Sequence, residues 1–534
     1  MNEAPKPTLP GNAIDKVISY FAPERGLRRM AFRAVSKSRR FTEMAKNLSS
    51  GFYRGNRRGR SLREWVTGRN EANDEIRYSL EDLRSDSNDL QQNNAIACGA
   101  IDTYCTNIVG TGLQLCSTID FEFLGMTEEQ AEEWQDHVER EFELFSRTCD
   151  LTRTKSLVEQ QNLVLRSTLV NGDVFVNLPM IERTGVRYET ALNLIEGHRI
   201  STKPGLGESD RLVMGVELDE NGCPVAYQYV STMDRAKKRE WRRLRAFDDE
   251  GNPMVLHVFR KKRVNQNRGI PLLAPIIEIV KKLDTYTQAE VDAAVINAFF
   301  TVFIKKKSVD DDSALDVVTN MGNETGAADG DEDLKLGAGT IIEMRDDEED
   351  IKIADVNRPN VNFGAFFKDM VSQLAVGINM PYEVLMKAFN SSYSASKGAV
   401  IEATKVFDEW ERFLVDSFCQ PVYEAFLYEA VAKGIIDAPG FFDDPLRRQA
   451  FCGSFWIGPT QNELDPTKGV KAATARIENG TSNEIIETAR LGRNYRRVMQ
   501  GKMRARRIRE KLNIPEPQAK STPTSSGSNG ENNE

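Results

Sequence analysis

The most regular hydrophobic pattern lies between Asn360 and Lys433. Phe363, Phe366, Phe367, Met370, Leu374, Ala375 and Ile378 recur at three- and four-residue steps, so they share one helical face. Pro381 cannot continue that helix, and it biases Met380 away from the right-handed region. The polar run from Asn390 to Gly398 offers nothing that builds a core. The period then resumes at Ala403, Val406, Phe407, Trp410, Phe413 and Leu414, and Gly434 suits a C-terminal cap. The pattern predicts two long helices joined by a Pro-broken turn and a small polar loop. That loop presents hydroxyls and one lysine, Lys397.

A second helical pattern runs from Leu272 to Phe303, through Ile276, Val280, Leu283, Thr287, Val291, Ala294 and Ala298. It spans on the order of 45 Å, with Lys305, Lys306 and Lys307 near its C-terminal end. Helices are also predicted over 95–108, 127–147 and 157–169. From Val174 to about residue 260 the pattern turns to short strands, at 174–178, 192–195, 215–218, 225–230 and 255–259. This reads as an α+β domain. Residues 308–356 are acidic and glycine-containing, with short strands at 340–344 and 351–353. Near the end, Thr481-Ser-Asn-Glu484 reads as a capping box and Gly492 as a stop. The last twenty residues are rich in Pro, Ser, Gly and Asn and are expected to be disordered.

At 534 residues the chain exceeds one ordinary core, so two to four subdomains are expected. The net charge of −9 excludes a polybasic nucleic-acid binder, but the cations are unevenly placed. Thirteen Lys or Arg stand against Glu43 alone between Arg25 and Arg63, and nine stand against Glu510 alone between Arg493 and Lys511. Seven scattered cysteines without a CxxC pair argue for reduced thiols rather than a disulfide framework or zinc ribbon. The N-terminus has no signal pattern, and the longest apolar run, Ala293 to Ile304, is too short to cross a membrane.

Candidate chemistry is sparse. The three histidines, His137, His198 and His257, lie far apart, with no HExxH, GxSxG or Walker A sequence. The run Asp329 to Asp333 lacks the spacing of a calcium loop. An enzyme is not expected, and neither is a metal or cofactor.

Nine short stretches in chain order nevertheless resemble the lambda-like family of tailed-bacteriophage portal proteins. They are Asn93-Asn-Ala-Ile with Asn107 to Gly112, Asn171 to Val176, Leu194 to Ile200, Gly215 to Gly222, His257 to Arg260 with Gln266 to Pro271, Arg358-Pro-Asn with Phe366, Gly377 to Glu383, Ser391 to Ser396, and Asp465 to Lys468. The likeness spans roughly residues 60–512. Two departures stand out. Ser396-Lys397 replaces an arginine after the Tyr-Ser-Ser-Ala motif, and Arg493-Asn494 stands where the family usually has an aspartate after the glycine.

The resemblance implies an α+β, mainly α portal fold of wing, stem helices, clip and crown, assembling as a ring of about twelve subunits around a DNA channel at one capsid vertex. It divides the chain into a basic arm (1–63), the wing (64–271), a stem helix (272–307), the clip (308–356), a second stem helix (357–380), the tunnel-loop region (381–398), a long helix (399–434), a wing return (435–467), crown helices (468–512) and a tail (513–534). Channel-lining candidates are Lys368, Ser391, Ser392, Tyr393, Ser394 and Lys397. Clip docking candidates are Lys305, Lys306, Lys307, Asp310, Asp311 and Asp312, and the crown cations are Arg493, Arg496, Arg497, Arg504, Arg506 and Arg507. Implied partners are further copies of the chain, double-stranded DNA of any sequence, the major capsid protein and scaffold, the terminase large subunit, and head-completion or tail connector proteins. No membrane is implied; the expected setting is the virion, after assembly in the host cytoplasm. The rival readings are another ring-forming head–tail adaptor and a DNA-processing enzyme.

Overall fold

The structure is a computed structural model. It describes residues 71–231, 240–299, 303–305, 342–344, 362–390, 392–460 and 466–515. The chain divides into two compact units, Met1–Glu71 and Ala72–Glu534, and the architecture below is that of the second. The basic arm, most of the clip and the tail end lie outside the described residues.

Helices α1 (Ala72–Arg77), α2 (Leu80–Asn93) and α3 (Ala95–Ile108) open the unit. Asn94 separates the last two, its side chain accepting from the amides of Ile96 and Ala97. After β1 (Gln114–Ser117) and α4 (Phe121–Leu124) come α5 (Glu128–Thr148) and α6 (Leu157–Asn171). Each of this pair starts with a reciprocal capping box, Thr127 with Gln130 and Ser156 with Glu159.

Two antiparallel sheets follow. The first has the order β3-β2-β8, with β2 at Asp173–Asn177, β3 at Asn193–Glu196 and β8 at Val255–Phe259. The second has the order β4-β5-β6-β7, with β4 at Leu212–Val213, β5 at Val216–Leu218, β6 at Pro224–Val230 and β7 at Trp241–Arg245. Hydropathy did not mark β7, because its sequence WRRLR exposes Arg242, Arg243 and Arg245.

Helix α7 (Ile277–Phe299) then leaves the body. It ends earlier than the expected helix over 272–307, and Phe303–Lys305 forms β9, parallel to β10 (Ile342–Met344). Lys305 therefore sits on a strand rather than at a helix end. The expected strand at 351–353 lies outside the described residues. Helices α8 (Phe363–Gly377), α9 (Tyr382–Leu385) and α10 (Tyr393–Leu414) lead through a π turn, Val415–Cys419, into α11 (Gln420–Ala432). The turn widens the helix directly before Pro421, whose ring would otherwise press on the carbonyl one turn back. Gly434 stops the helix at φ 64°. Then come α12 (Pro445–Phe451) and β11 (Ser454–Ile457), which pairs antiparallel with the distant β1. The chain closes with α13 (Pro466–Glu478), α14 (Glu484–Arg490) and α15 (Tyr495–Lys511).

The main core lies among α3, α5, α6, α8, α10 and α11. Phe142, Phe145, Tyr188 and Phe426 pack there with ring centroids 5.0–5.9 Å apart. Helices α7 and α8 enter this core with only part of their apolar faces. On α7, Val280 and Leu283 are buried but Val291 and Val295 are about half exposed. On α8, Val371 and Leu374 are buried while Phe366 stays exposed against Tyr286 of α7.

A single buried carboxylate ties helices and sheets together. Asp173 has no exposure; its Oδ1 lies 2.5 Å from Arg84 Nη2 on α2, and its Oδ2 2.7 Å from Arg268 Nε. The Gly269 amide donates to Oδ2 at 3.2 Å, and His257 Nε2 of β8 lies 3.4 Å away. Arg268 Nη2 also reaches Asp173 Oδ1 at 3.4 Å, and its other donors go to the carbonyls of Gly197, Ile200 and Met214. These partners carry the linkage from the first sheet into the second. The close approach requires glycine: a Cβ on Gly197 would lie 1.9 Å from Asp173 Oδ1, and one on Gly269 1.9 Å from the Gly172 carbonyl.

Arg268 and Arg84 hold the Asp173 carboxyl well below the usual carboxylate range, against the opposing effect of burial. Asp173→Asn strands two buried guanidiniums and is expected to cost about 3 to 5 kcal/mol in urea unfolding. Burial pushes His257 down from 6.5 to about 4, so the folded imidazole stays neutral where the unfolded one protonates. Its contribution is complete above the unfolded value and is lost as pH falls from there toward 4. Folding should weaken by about 3 kcal/mol over that window, and His257→Phe should flatten the slope; an unchanged slope of unfolding free energy against pH would refute the assignment.

Candidate functional site

The channel-lining candidates fall on the α8–α9–α10 segment. Its geometry is set from beneath by α3, whose buried Tyr104 hydroxyl donates to the Ile378 carbonyl at 2.6 Å. Gly377 lets α8 press against Ile276, since a Cβ there would lie 2.4 Å from the Ile276 side chain. Asn379 takes φ 57° to turn the chain toward Pro381. Helix α9 packs against both α8 and α10.

The expected loop over 390–398 is shorter than its sequence suggests. Ser392 caps α10 by accepting from the Ala395 amide at 3.4 Å, and the chain is helical from Tyr393. Tyr393, Ser394 and Lys397 therefore occupy the first two turns of a helix, with the side chains of Ser392, Tyr393, Ser394 and Lys397 all exposed. A run of Ser, Ala, Lys and Gly leaves no hydrophobic stripe, so the pattern alone did not distinguish it from a loop. Ser391 lies outside the described residues. Lys368 is exposed on α8, its Nζ 5.6 Å from the ring centroid of Tyr382 on α9. Of the clip candidates, Lys305 lies on β9, while Lys306, Lys307, Asp310, Asp311 and Asp312 lie outside the described residues.

The crown cations divide into two sets. Arg496 Nη1 lies 3.5 Å from Asp136 Oδ1, and Arg497 Nη2 lies 2.8 Å from Glu143 Oε2, so both clamp α15 onto α5. Arg506 pairs with Glu510 within its own helix at 3.2 Å. Arg493, Arg504 and Arg507 are exposed, with no ion pair among the described residues. The start of α15 is fixed by Asn494, which is buried and caps the helix through the Arg497 amide. Its Nδ2 donates to Glu139 Oε2 at 3.3 Å, while Glu139 Oε1 accepts from the Ser117 amide at 3.0 Å. Burial raises the Glu139 carboxyl above its ordinary range. Helix α14 is capped by Asn483 rather than by the Thr481 box expected from the sequence.

The candidate site thus presents exposed cations and apolar side chains on α8, α10 and α15. Among the described residues no group of three His, Cys, Asp or Glu side chains is placed to hold a metal ion, and no helix is long and apolar enough to cross a membrane. The model of the family "phage portal protein, lambda family" matches residues 58–411, and the chain belongs to that family. It is similar to Portal protein B of Escherichia phage lambda, 22% identical over 449 residues that cover 80% of this chain and 82% of the relative. It is equally similar to the portal protein of Escherichia phage N15, 22% identical over 458 residues, covering 82% and 84%. A chain in the solved virion of a native gene transfer agent particle aligns at 11% identity with a TM-score of 0.37, over 78% of this chain and 93% of that one. The family is one of structural portal proteins, and the chain is not an enzyme.

Asn494→Asp sets a second carboxyl against Glu139. At pH 8 the added charge should leave α13, α14 and α15 cleaved faster by trypsin than in the native chain. At a lower pH the difference should shrink, because burial already raises the Glu139 carboxyl and protonation relieves the repulsion. Equal cleavage of the two proteins at both values would show that this contact does not hold α15 in place.

Proposed function

We propose that the chain assembles with copies of itself into a closed ring at one vertex of a phage capsid, and that double-stranded DNA passes through the ring during packaging and ejection. The observation that carries this reading is the family match over 58–411, a range that spans the stem helices and nearly all of α10. The half-buried stem helices support it. Val291, Val295 and Phe366 are apolar, exposed and on elongated helices, as in a subunit whose neighbours are copies of itself.

The physics of a conduit is the physics of weak holding. DNA carries a charge every 1.7 Å or so, and phosphate contacts by many cations bind it strongly. A ring of subunits with net charge −9 presents a largely repelling wall. In this reading a few cations, Lys397 near the start of α10 and Lys368 on α8, temper that repulsion. Ser391, Ser392, Tyr393 and Ser394 supply neutral contacts to the backbone, and no base is read. The clip, with Lys305, Lys306, Lys307, Asp310, Asp311 and Asp312, docks the terminase large subunit and then the head-completion or tail connector proteins. The capsid protein and scaffold meet the outer surface. Movement is driven by the separate motor.

Lys397→Glu adds a repelling charge at every copy of the same position. Rings should form as in the native protein, while the yield of DNA-filled heads falls by about an order of magnitude. Normal filling by the variant would remove α10 from the channel wall.

A further inference from the structure

Helices α13, α14 and α15 contain no buried apolar side chain among the described residues; the only buried ones between Pro466 and Pro515 are Glu487 and Asn494. Helices of this length are marginal in water without tertiary packing. Polar links hold them in place: Arg476 is bidentate to Glu487 at 2.9 and 2.7 Å, and the first turns of α15 clamp α5. Beyond Gln500 no residue of α15 is buried. That half carries Met503 and Ile508, with Leu512 just past its end, each at least half exposed, beside exposed Lys502, Arg504 and Arg507.

We propose that the distal half of α15 docks on a second copy of this chain, on the acidic shoulder formed by α4 and the first half of α5. This rests on the ring reading above. Charge complementarity selects the occupant. α15 holds eight cations and one anion, so bundling α15 with α15 is repulsive. On α5, Glu128, Glu129, Glu132 and Glu133 are exposed and form no ion pair among the described residues, and the exposed Phe123 of α4 lies beside them in sequence. The two helices already show how they fit: within one chain, Arg496 and Arg497 take the later acids of α5, Asp136 and Glu143. The contact between copies repeats that pairing with the earlier acids, and it also covers the apolar side chains that a DNA contact would leave in water. It is head-to-tail, the type that gives a ring when its rotation closes.

The test compares four full-length proteins by mass photometry over a dilution series, with face-on electron micrographs and circular dichroism. They are the native chain, a chain with Lys502, Arg504, Arg507 and Lys511 changed to Glu, one with Glu128, Glu129, Glu132 and Glu133 changed to Lys, and the chain carrying both sets. Each single set should raise the concentration at which half the rings dissociate by about tenfold or more, and the combined set should return it close to native. Native dissociation in the α15 variant, whether or not its binding to random duplex DNA weakens, overturns the proposal; weakened binding would assign α15 to a polyanion. Failure of the combined set to restore rings, with native helix content, also overturns it. A native chain that stays a single subunit at every concentration refutes the ring reading itself.

Discussion

The fold depends on one buried charge. Asp173 sits at the junction of α6 with β2, fully out of water, and a carboxylate there persists only with matched donors. Arg84, Arg268, His257 and the Gly269 amide supply them from a helix, a loop and a neighbouring strand. Meeting that requirement fixes α2 against the first sheet, and the carbonyl contacts of Arg268 fix the second sheet against both. The main hydrophobic core packs beside this junction and takes in Val174, Val176 and Val258 of the first sheet.

This junction also explains why several short stretches of sequence stood out together. Asn171-Gly-Asp, Glu196-Gly-His and Asn267-Arg-Gly lie far apart in the chain, and in the structure they meet at one point. Each contributes a glycine because carboxylate, guanidinium and backbone approach too closely for a side chain. Their likeness to the portal family was legible, but their purpose was not. Nothing in a linear pattern pairs Arg84 with Asp173.

The long helices were legible for the opposite reason. Their apolar residues repeat at helical spacing, and Pro381 and Gly434 mark their limits through backbone sterics alone. Where the signal is not apolar, the reading fell short. β7 presents arginines, the start of α10 presents small polar residues, and β1 finds its partner only at β11. The basic character of α15 was visible, whereas the spending of Arg496 and Arg497 on α5 required the fold. Asn494 sets an amide donor, and not a second carboxyl, against the Glu139 carboxyl.

Helices α7 and α8 leave apolar side chains exposed, and α13, α14 and α15 bury none among the described residues; the ring we propose would cover both with neighbouring copies. The central claim is therefore that the working unit is a closed ring with a central opening. Cryo-electron microscopy of the purified full-length protein tests it directly. Face-on views should show closed rings of one subunit number, with an opening wide enough for duplex DNA and α8 and the start of α10 at its edge. Single subunits or open filaments, or rings whose opening is lined by the β4–β7 sheet instead, would contradict it.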